Sequence, residues 1–164
     1  MNYHKIITDD QLNGDGLRVV LFVSGCSHCC EGCHNEQTWD KNSGKQFTDK
    51  EVDTILNMLS EDYISGITLS GGDPLFKDNI DTIYKLITTI RKKYNKSKTI
   101  WLYTGYKFED VKKLYKNILQ EIDVLVDGKF IESLADVKYK WAGSTNQKVI
   151  DVQQSLAQNK IVLH

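Results

Sequence analysis

Apolar positions first gather at Leu17-Arg18-Val19-Val20-Leu21-Phe22-Val23, a run rich in β-branched residues that predicts a buried strand. Asn13-Gly14-Asp15-Gly16 ahead of it supplies a tight turn, and the run leads straight into Ser24-Gly25-Cys26. The period then changes. Thr48-Asp49-Lys50-Glu51 has the form of a capping box, and Val52, Ile55, Leu56 and Leu59 follow at helical spacing, so a helix begins near Thr48. Ile67-Thr68-Leu69 reads as a short buried strand ending at Ser70-Gly71-Gly72-Asp73-Pro74. A second helix carries Ile80, Ile83, Tyr84, Ile87 and Ile90 on one face, with basic residues towards its end where they suit the macrodipole. The rhythm repeats with strand Thr99-Ile100-Trp101-Leu102-Tyr103, the turn Thr104-Gly105-Tyr106, and one helix bearing Val111, Leu114, Tyr115 and Ile118. Val124-Leu125-Val126 forms a fourth strand ending at Asp127-Gly128. Beyond Phe130 the pattern weakens, and only Val149 to Val152 and Ile161 to Leu163 are possible strands.

Strands alternating with one-sided helices imply right-handed crossovers and a mostly parallel sheet, an α/β fold. The 164 residues suit a single domain, 1-164. A closed eight-stranded barrel takes about 250 residues, so four strands predict an open sheet or a partial (β/α) barrel. Gly25-Cys26, Gly71-Gly72-Asp73, Thr104-Gly105-Tyr106 and Asp127-Gly128 all fall at carboxyl ends of predicted strands, where parallel α/β folds bind ligands.

Charge narrows the partners. Lys plus Arg number 21 against 22 Asp plus Glu, so no overall basic field exists to hold nucleic acid or an anionic membrane. The basic run from Arg91 through Lys92, Lys93 and Lys96 to Lys98 reads as a solvated helix end. Met1-Asn2-Tyr3-His4-Lys5 lacks the charged-then-apolar pattern of a signal peptide, and no apolar run approaches the ~20 residues that span a bilayer. A cytoplasmic location is the expectation.

The four cysteines, Cys26, Cys29, Cys30 and Cys33, fall within eight residues. Thiols this close can close only small strained loops, so metal or redox chemistry is favoured over a disulfide framework. Structural zinc sites usually draw on two separated knuckles, and here there is one. Adjacent Cys29 and Cys30 rarely both reach one ion, which favours three ligands over four and leaves Cys29 as a spare thiol. Cys26, Cys30 and Cys33, spaced C-x3-C-x2-C, can wrap one face of a cubane cluster and leave a fourth iron open for substrate. His28 and His34 lie in the same loop and invite a zinc reading, but neither is favoured as a ligand. Trp39, Trp101 and Tyr103 read as core or cleft walls.

This spacing after the first strong strand resembles the radical S-adenosylmethionine enzymes. The resemblance extends through His34-Asn35, Thr38-Trp39, Ser70-Gly71-Gly72-Asp73-Pro74-Leu75, the Trp101 to Tyr106 and Asp123 to Phe130 segments, and Gly143-Ser144-Thr145-Asn146-Gln147. Taken in order along nearly the whole chain, these are similar to the short subfamily that activates anaerobic ribonucleoside-triphosphate reductase. The resemblance implies a 4Fe-4S cluster whose free iron chelates S-adenosyl-L-methionine at the carboxyl ends of the strands. It further implies reductive cleavage to a 5'-deoxyadenosyl radical, and a backbone glycine of the reductase large subunit as the substrate. A low-potential donor such as flavodoxin would supply the electron. Cys26, Cys30 and Cys33 are then the metal ligands, and Gly32, Cys33 and His34 line the bound cofactor. Gly71 and Gly72 admit it close to the main chain and offer carbonyls to its ammonium group. Asp73 either supports that contact or caps the helix beside Pro74. Two departures stand out: Ala142 replaces the subfamily's usual arginine before Gly143-Ser144, and Asp15 replaces a usual proline. The competing readings are an activase of another glycyl-radical enzyme, of the pyruvate formate-lyase type, and a non-enzymatic zinc or iron-sulfur module.

Overall fold

A computed structural model describes residues 1–164. Its sheet is built outward from β2 (Leu17–Val23), which is buried on both faces and so reads as a continuous apolar run instead of an alternation. β2 pairs parallel with β4 (Ile64–Gly71), β4 with β5 (Thr99–Tyr103), and β5 with β6 (Val124–Asp127). These are the four expected strands. Three antiparallel strands extend them: β1 (Asn2–Asp10) on β2, the two-residue β3 (Lys45–Gln46) on β1, and β7 (Lys148–Asp151) on β6. The result is an open, mixed, seven-stranded sheet of order β3-β1-β2-β4-β5-β6-β7. β7 falls inside the segment expected to be a strand, whereas Ile161 to Leu163 contributes only an isolated bridge between Leu163 and Ile150. β1 lacks a sequence signature because none of its residues is fully buried.

Helices α1 (Asp49–Leu59) and α2 (Ile80–Tyr94) start and face as the periodicity requires. Thr48 caps α1: its hydroxyl accepts from the Lys50 amide, and Glu51 accepts from the Thr48 amide. Tyr84 departs from the apolar face of α2, being 38% exposed. The single helix expected after Tyr106 is two, α3 (Phe108–Leu114) and α4 (Lys116–Glu121), because Tyr115 adopts φ −131° and breaks the helical path. A short α5 (Val152–Gln158) follows β7. Between helices and sheet lies a core of 24 buried residues, including Leu21, Leu69, Ile87 and Leu125.

Two basic features were misread as solvated. Arg91 and Lys98 are buried. Arg91 donates to Asp123 Oδ2 at 2.6 Å and to the Lys98 carbonyl at 2.9 Å, and Lys98 Nζ donates to the Ile64 carbonyl at 2.6 Å. The helix end is therefore stitched to the start of β5 and the approach to β6. The other face of the parallel strands carries Arg18, fully buried beneath the Trp101 ring. Its guanidinium donates to the Thr68 and Thr99 hydroxyls and to the Ile67 and Thr99 carbonyls, which is how a buried cation is kept without an adjacent carboxylate. Burial nonetheless pulls its pKa down to about 10. Trp101 itself is core, packed edge-on to Trp141. No helix is long and apolar enough to cross a membrane.

Candidate metal centre

Because β2, β4, β5 and β6 run parallel, their carboxyl ends emerge at one edge, and the residues that follow line one cleft. Cys26, Cys30 and Cys33 face it together with Gly71, Gly72 and Thr104. Cys26 is set in place by its neighbours: the Gly25 amide donates to the Thr38 carbonyl at 2.7 Å, and the Cys26 amide to the Trp39 carbonyl at 3.1 Å. The chain then turns at Cys29, whose φ of 46° is left-handed and whose side chain is exposed outside the cleft wall. That turn separates Cys29 from Cys30 and sends only Cys30 inward.

All four thiols are free. Cys33 accepts from the Asn35 amide at 3.4 Å, and the backbone at His28 and Cys29 favours the Cys26 thiolate as that at Phe130 favours the Cys30 thiolate. Burial pushes the Cys26 thiol up to about 11 and raises that of Cys30. Amide-to-sulfur hydrogen bonds are the means by which proteins stabilise thiolate ligands and tune clusters. No three His, Cys, Asp or Glu side chains converge as a site for a single ion. Soft sulfur donors spread round a cleft suit a multi-iron cluster, one thiolate to an iron, better than a tetrahedral zinc.

The backbone that favours the Cys30 thiolate, at Phe130, comes from far along the sequence. Gln147 accepts from the Gly143 amide at 2.9 Å and donates to the Gly128 carbonyl at 2.8 Å, while Asn146 donates to the Lys129 carbonyl at 2.9 Å. The Gly143 to Gln147 motif thus pins the Lys129-Phe130 segment over the thiols. Its sequence resemblance was visible, but its structural task was not. Ala142 packs against the small cluster of Trp101, Val124, Val126 and Val149, and Tyr103 donates to the Trp141 carbonyl at 2.8 Å.

The other expected residues divide. His34 lines the cleft with its ring against Phe130, centroids 5.2 Å apart, whereas Gly32 does not line it and a Cβ there would meet the Glu132 side chain. Gly71 and Gly72 reach the cleft, yet the space a side chain would need is filled by protein. A Cβ on Gly71 (φ 107°) would lie 2.5 Å from the Val23 nitrogen, and one on Gly72 would lie 2.5 Å from the Gly25 carbonyl oxygen. The glycines let β4 press against the end of β2 and the start of the cysteine loop. Asp73 is 1% exposed and does not itself line the cleft; its carboxylate sits directly behind His28, Thr104 and Gly105, which do. Oδ2 accepts from His28 Nε2 at 2.7 Å, the Thr104 hydroxyl at 2.9 Å and the Gly105 amide at 3.2 Å, and Oδ1 accepts from the Leu75 amide at 2.8 Å. The cap of α2 is Asn79, whose side-chain amide ties the Ser24 and Asp73 carbonyls together. His28 is spent on Asp73, which sequence spacing could not reveal.

An open, mostly parallel sheet with three thiols and a glycine pair at its carboxyl edge defines a class of iron-sulfur protein. A family model described as a 4Fe-4S single cluster domain matches residues 12–150. The chain is 46% identical over 149 residues to the anaerobic ribonucleoside-triphosphate reductase-activating protein of Enterobacteria phage T4, covering 91% of this chain and 93% of that one. The protein of that name from Escherichia coli (strain K12) is also 46% identical, over 91% of this chain and 97% of its own. That of Haemophilus influenzae is 42% identical, over 90% and 96%. The chain belongs to the anaerobic ribonucleoside-triphosphate reductase-activating protein family.

Proposed function

We propose that this chain is the activase of an anaerobic ribonucleoside-triphosphate reductase, a radical S-adenosylmethionine enzyme whose protein substrate is the reductase large subunit. The observation that carries the reading is the meeting of Cys26, Cys30 and Cys33 with Gly71 and Gly72 in one cleft at the carboxyl edge of the parallel strands. In this reading all 164 residues serve as one domain, and the four parallel strands act as a partial barrel with cluster and cofactor at their carboxyl ends. The reading implies an anaerobic, cytoplasmic setting and a low-potential donor of the flavodoxin type.

Cys26, Cys30 and Cys33 are the residues that would hold a 4Fe-4S cluster, and S-adenosyl-L-methionine would lie along Gly32, Cys33, His34, Gly71 and Gly72. When bound, the pair supplies one-electron cleavage of a carbon-sulfur bond and, from it, removal of a hydrogen atom from the glycine of the substrate. The residues of the chain hold and orient. Thiolate formation releases a proton from each cysteine, and the backbone at His28, Cys29, Phe130 and Asn35 stabilises the sulfur charge that remains. The main chain at Gly71 and Gly72 offers its carbonyls to the cofactor ammonium. Asp73 supports that edge from behind His28, Thr104 and Gly105. His34 and Phe130, their rings packed together, form one wall of the cleft.

The test is anaerobic reconstitution, reduction with dithionite and addition of S-adenosylmethionine, with methionine and 5'-deoxyadenosine quantified. Wild type and Cys29→Ala are expected to carry iron and acid-labile sulfide and to cleave; Cys30→Ala is expected to do neither. Zinc without sulfide in the wild type, or cluster loss in Cys29→Ala but not in Cys30→Ala, overturns the assignment.

A further inference from the structure

The cysteine loop is joined to the rest of the cleft by one hydrogen bond between two side chains. His28 lies between Cys26 and Cys30, and its Nε2 donates to the buried Asp73 carboxylate at 2.7 Å. The same oxygen accepts from the Thr104 hydroxyl and the Gly105 amide at the end of β5. A carboxylate has acceptors only, so the ring must present N–H at Nε2. The ring is fixed on two further sides. It stands edge-on to Tyr106 with centroids 4.8 Å apart, and any Cβ on Gly105 would run into it. The backbone of His28 meanwhile favours the Cys26 thiolate. Next in the chain comes the left-handed Cys29, a conformation that persists only where its surroundings hold it.

We infer that His28 and Asp73 are positioning residues, a latch that registers the cysteine loop against the ends of β4 and β5. The inference rests on the cluster reading above. Through the latch the thiols, carried by the loop, and the cofactor edge, carried by Gly71 and Gly72, share one rigid frame. Neither residue needs to touch a ligand. Fixing the ring also fixes the His28 backbone, which favours the Cys26 thiolate, so the latch acts on the electronic surroundings of a ligand as well as on its place.

Three variants separate this role from a merely structural one. His28→Phe keeps a ring against Tyr106 and Gly105 but removes the donor, and His28→Gln returns an N–H at similar reach. Asp73→Asn keeps the shape and weakens the acceptor. In the metal-free chain, hydrogen exchange of the residue 26–30 amides is expected to quicken about tenfold in His28→Phe, as loss of one charge-assisted hydrogen bond implies. The reconstituted variant should retain its iron and sulfide. It should lose the change that S-adenosylmethionine produces in the electron paramagnetic resonance spectrum of the reduced cluster, with cleavage slowed ~10–100-fold. His28→Gln should restore both signals. Wild-type exchange and spectra in His28→Phe would overturn the latch, and so would iron loss in that variant, which would make His28 a ligand. If His28→Phe does not fold, Asp73→Asn carries the test on the same readouts and with the same overturning results. A wild type that takes up no sulfide-bearing cluster would sink the cluster reading alone, because the metal-free exchange comparison still reads the latch.

Discussion

Gly72→Ala asks which side of the glycine pair matters, the ligand side or the protein side. Gly72 is not among the residues with left-handed φ, so alanine brings no backbone strain of that kind and the question is one of space. The added Cβ would sit 2.5 Å from the Gly25 carbonyl oxygen and 3.0 Å from that of Thr38, where ordinary contact begins at 3.4 Å. Both are main-chain atoms, so no side chain can swing aside. The Gly25 carbonyl also accepts from the Asp73 amide at 2.8 Å, and a shift large enough to relieve the clash strains that bond. Overpacking of about 1–3 kcal/mol and a weakened hydrogen bond of about 1 kcal/mol together give a loss of roughly 2–4 kcal/mol. For a chain of this length that lowers the melting temperature by roughly 5–12 °C. The loss should appear in the metal-free chain, measured by urea unfolding under reducing, anaerobic conditions, before any cofactor is added. A metal-free stability within about 0.5 kcal/mol of wild type, accompanied by weaker S-adenosylmethionine binding, would refute the packing argument and return the glycine to a ligand role.

Two further outcomes follow from buried polar groups. Asp123→Ala strips Arg91 of its carboxylate and the Ile100 amide of its acceptor, and with Arg91 only 9% exposed the cost should be about 3 kcal/mol in urea unfolding; a loss below about 1 kcal/mol would contradict the pairing. Burial, followed by the hydrogen bond with Tyr106, raises the Tyr115 hydroxyl from 10.0 to about 12, and burial raises Tyr103 as well. The folded state therefore disfavours tyrosinate, so this contribution to stability is complete below pH 10 and lost as pH rises from 10 to 12. Absorbance titration should show late-ionising tyrosines coupled to alkaline unfolding, and all eight ionising together near pH 10 in a folded chain would go against it.

The parallel half of the fold was legible because burial on both faces writes itself as apolar runs, as in β2 and β6, with polar and glycine residues at their ends. The antiparallel margin was not. β1 has no fully buried residue, and its place is fixed by pairing with β2, a long-range fact that no local pattern carries. Charge misled in the same way: Arg91 and Lys98 look solvated by type, and only the carbonyls and the Asp123 carboxylate around them make burial tolerable. At the site, the thiol spacing was readable because cluster geometry limits it. The His28–Asp73 contact joins residues 45 apart and belongs to tertiary structure alone.

Every strand that ends at the cleft has a hydrogen-bonded neighbour on both sides, and the 24-residue core behind them contains no cysteine. Metal-dependent mini-domains collapse when their ion leaves, because the ion supplies most of their folding energy. Here the thiols occupy a short loop laid on a sheet that stands without them. Destruction of the cluster by oxygen would then be a repairable injury: the scaffold survives, and iron and sulfide can be rebuilt on it without refolding the chain.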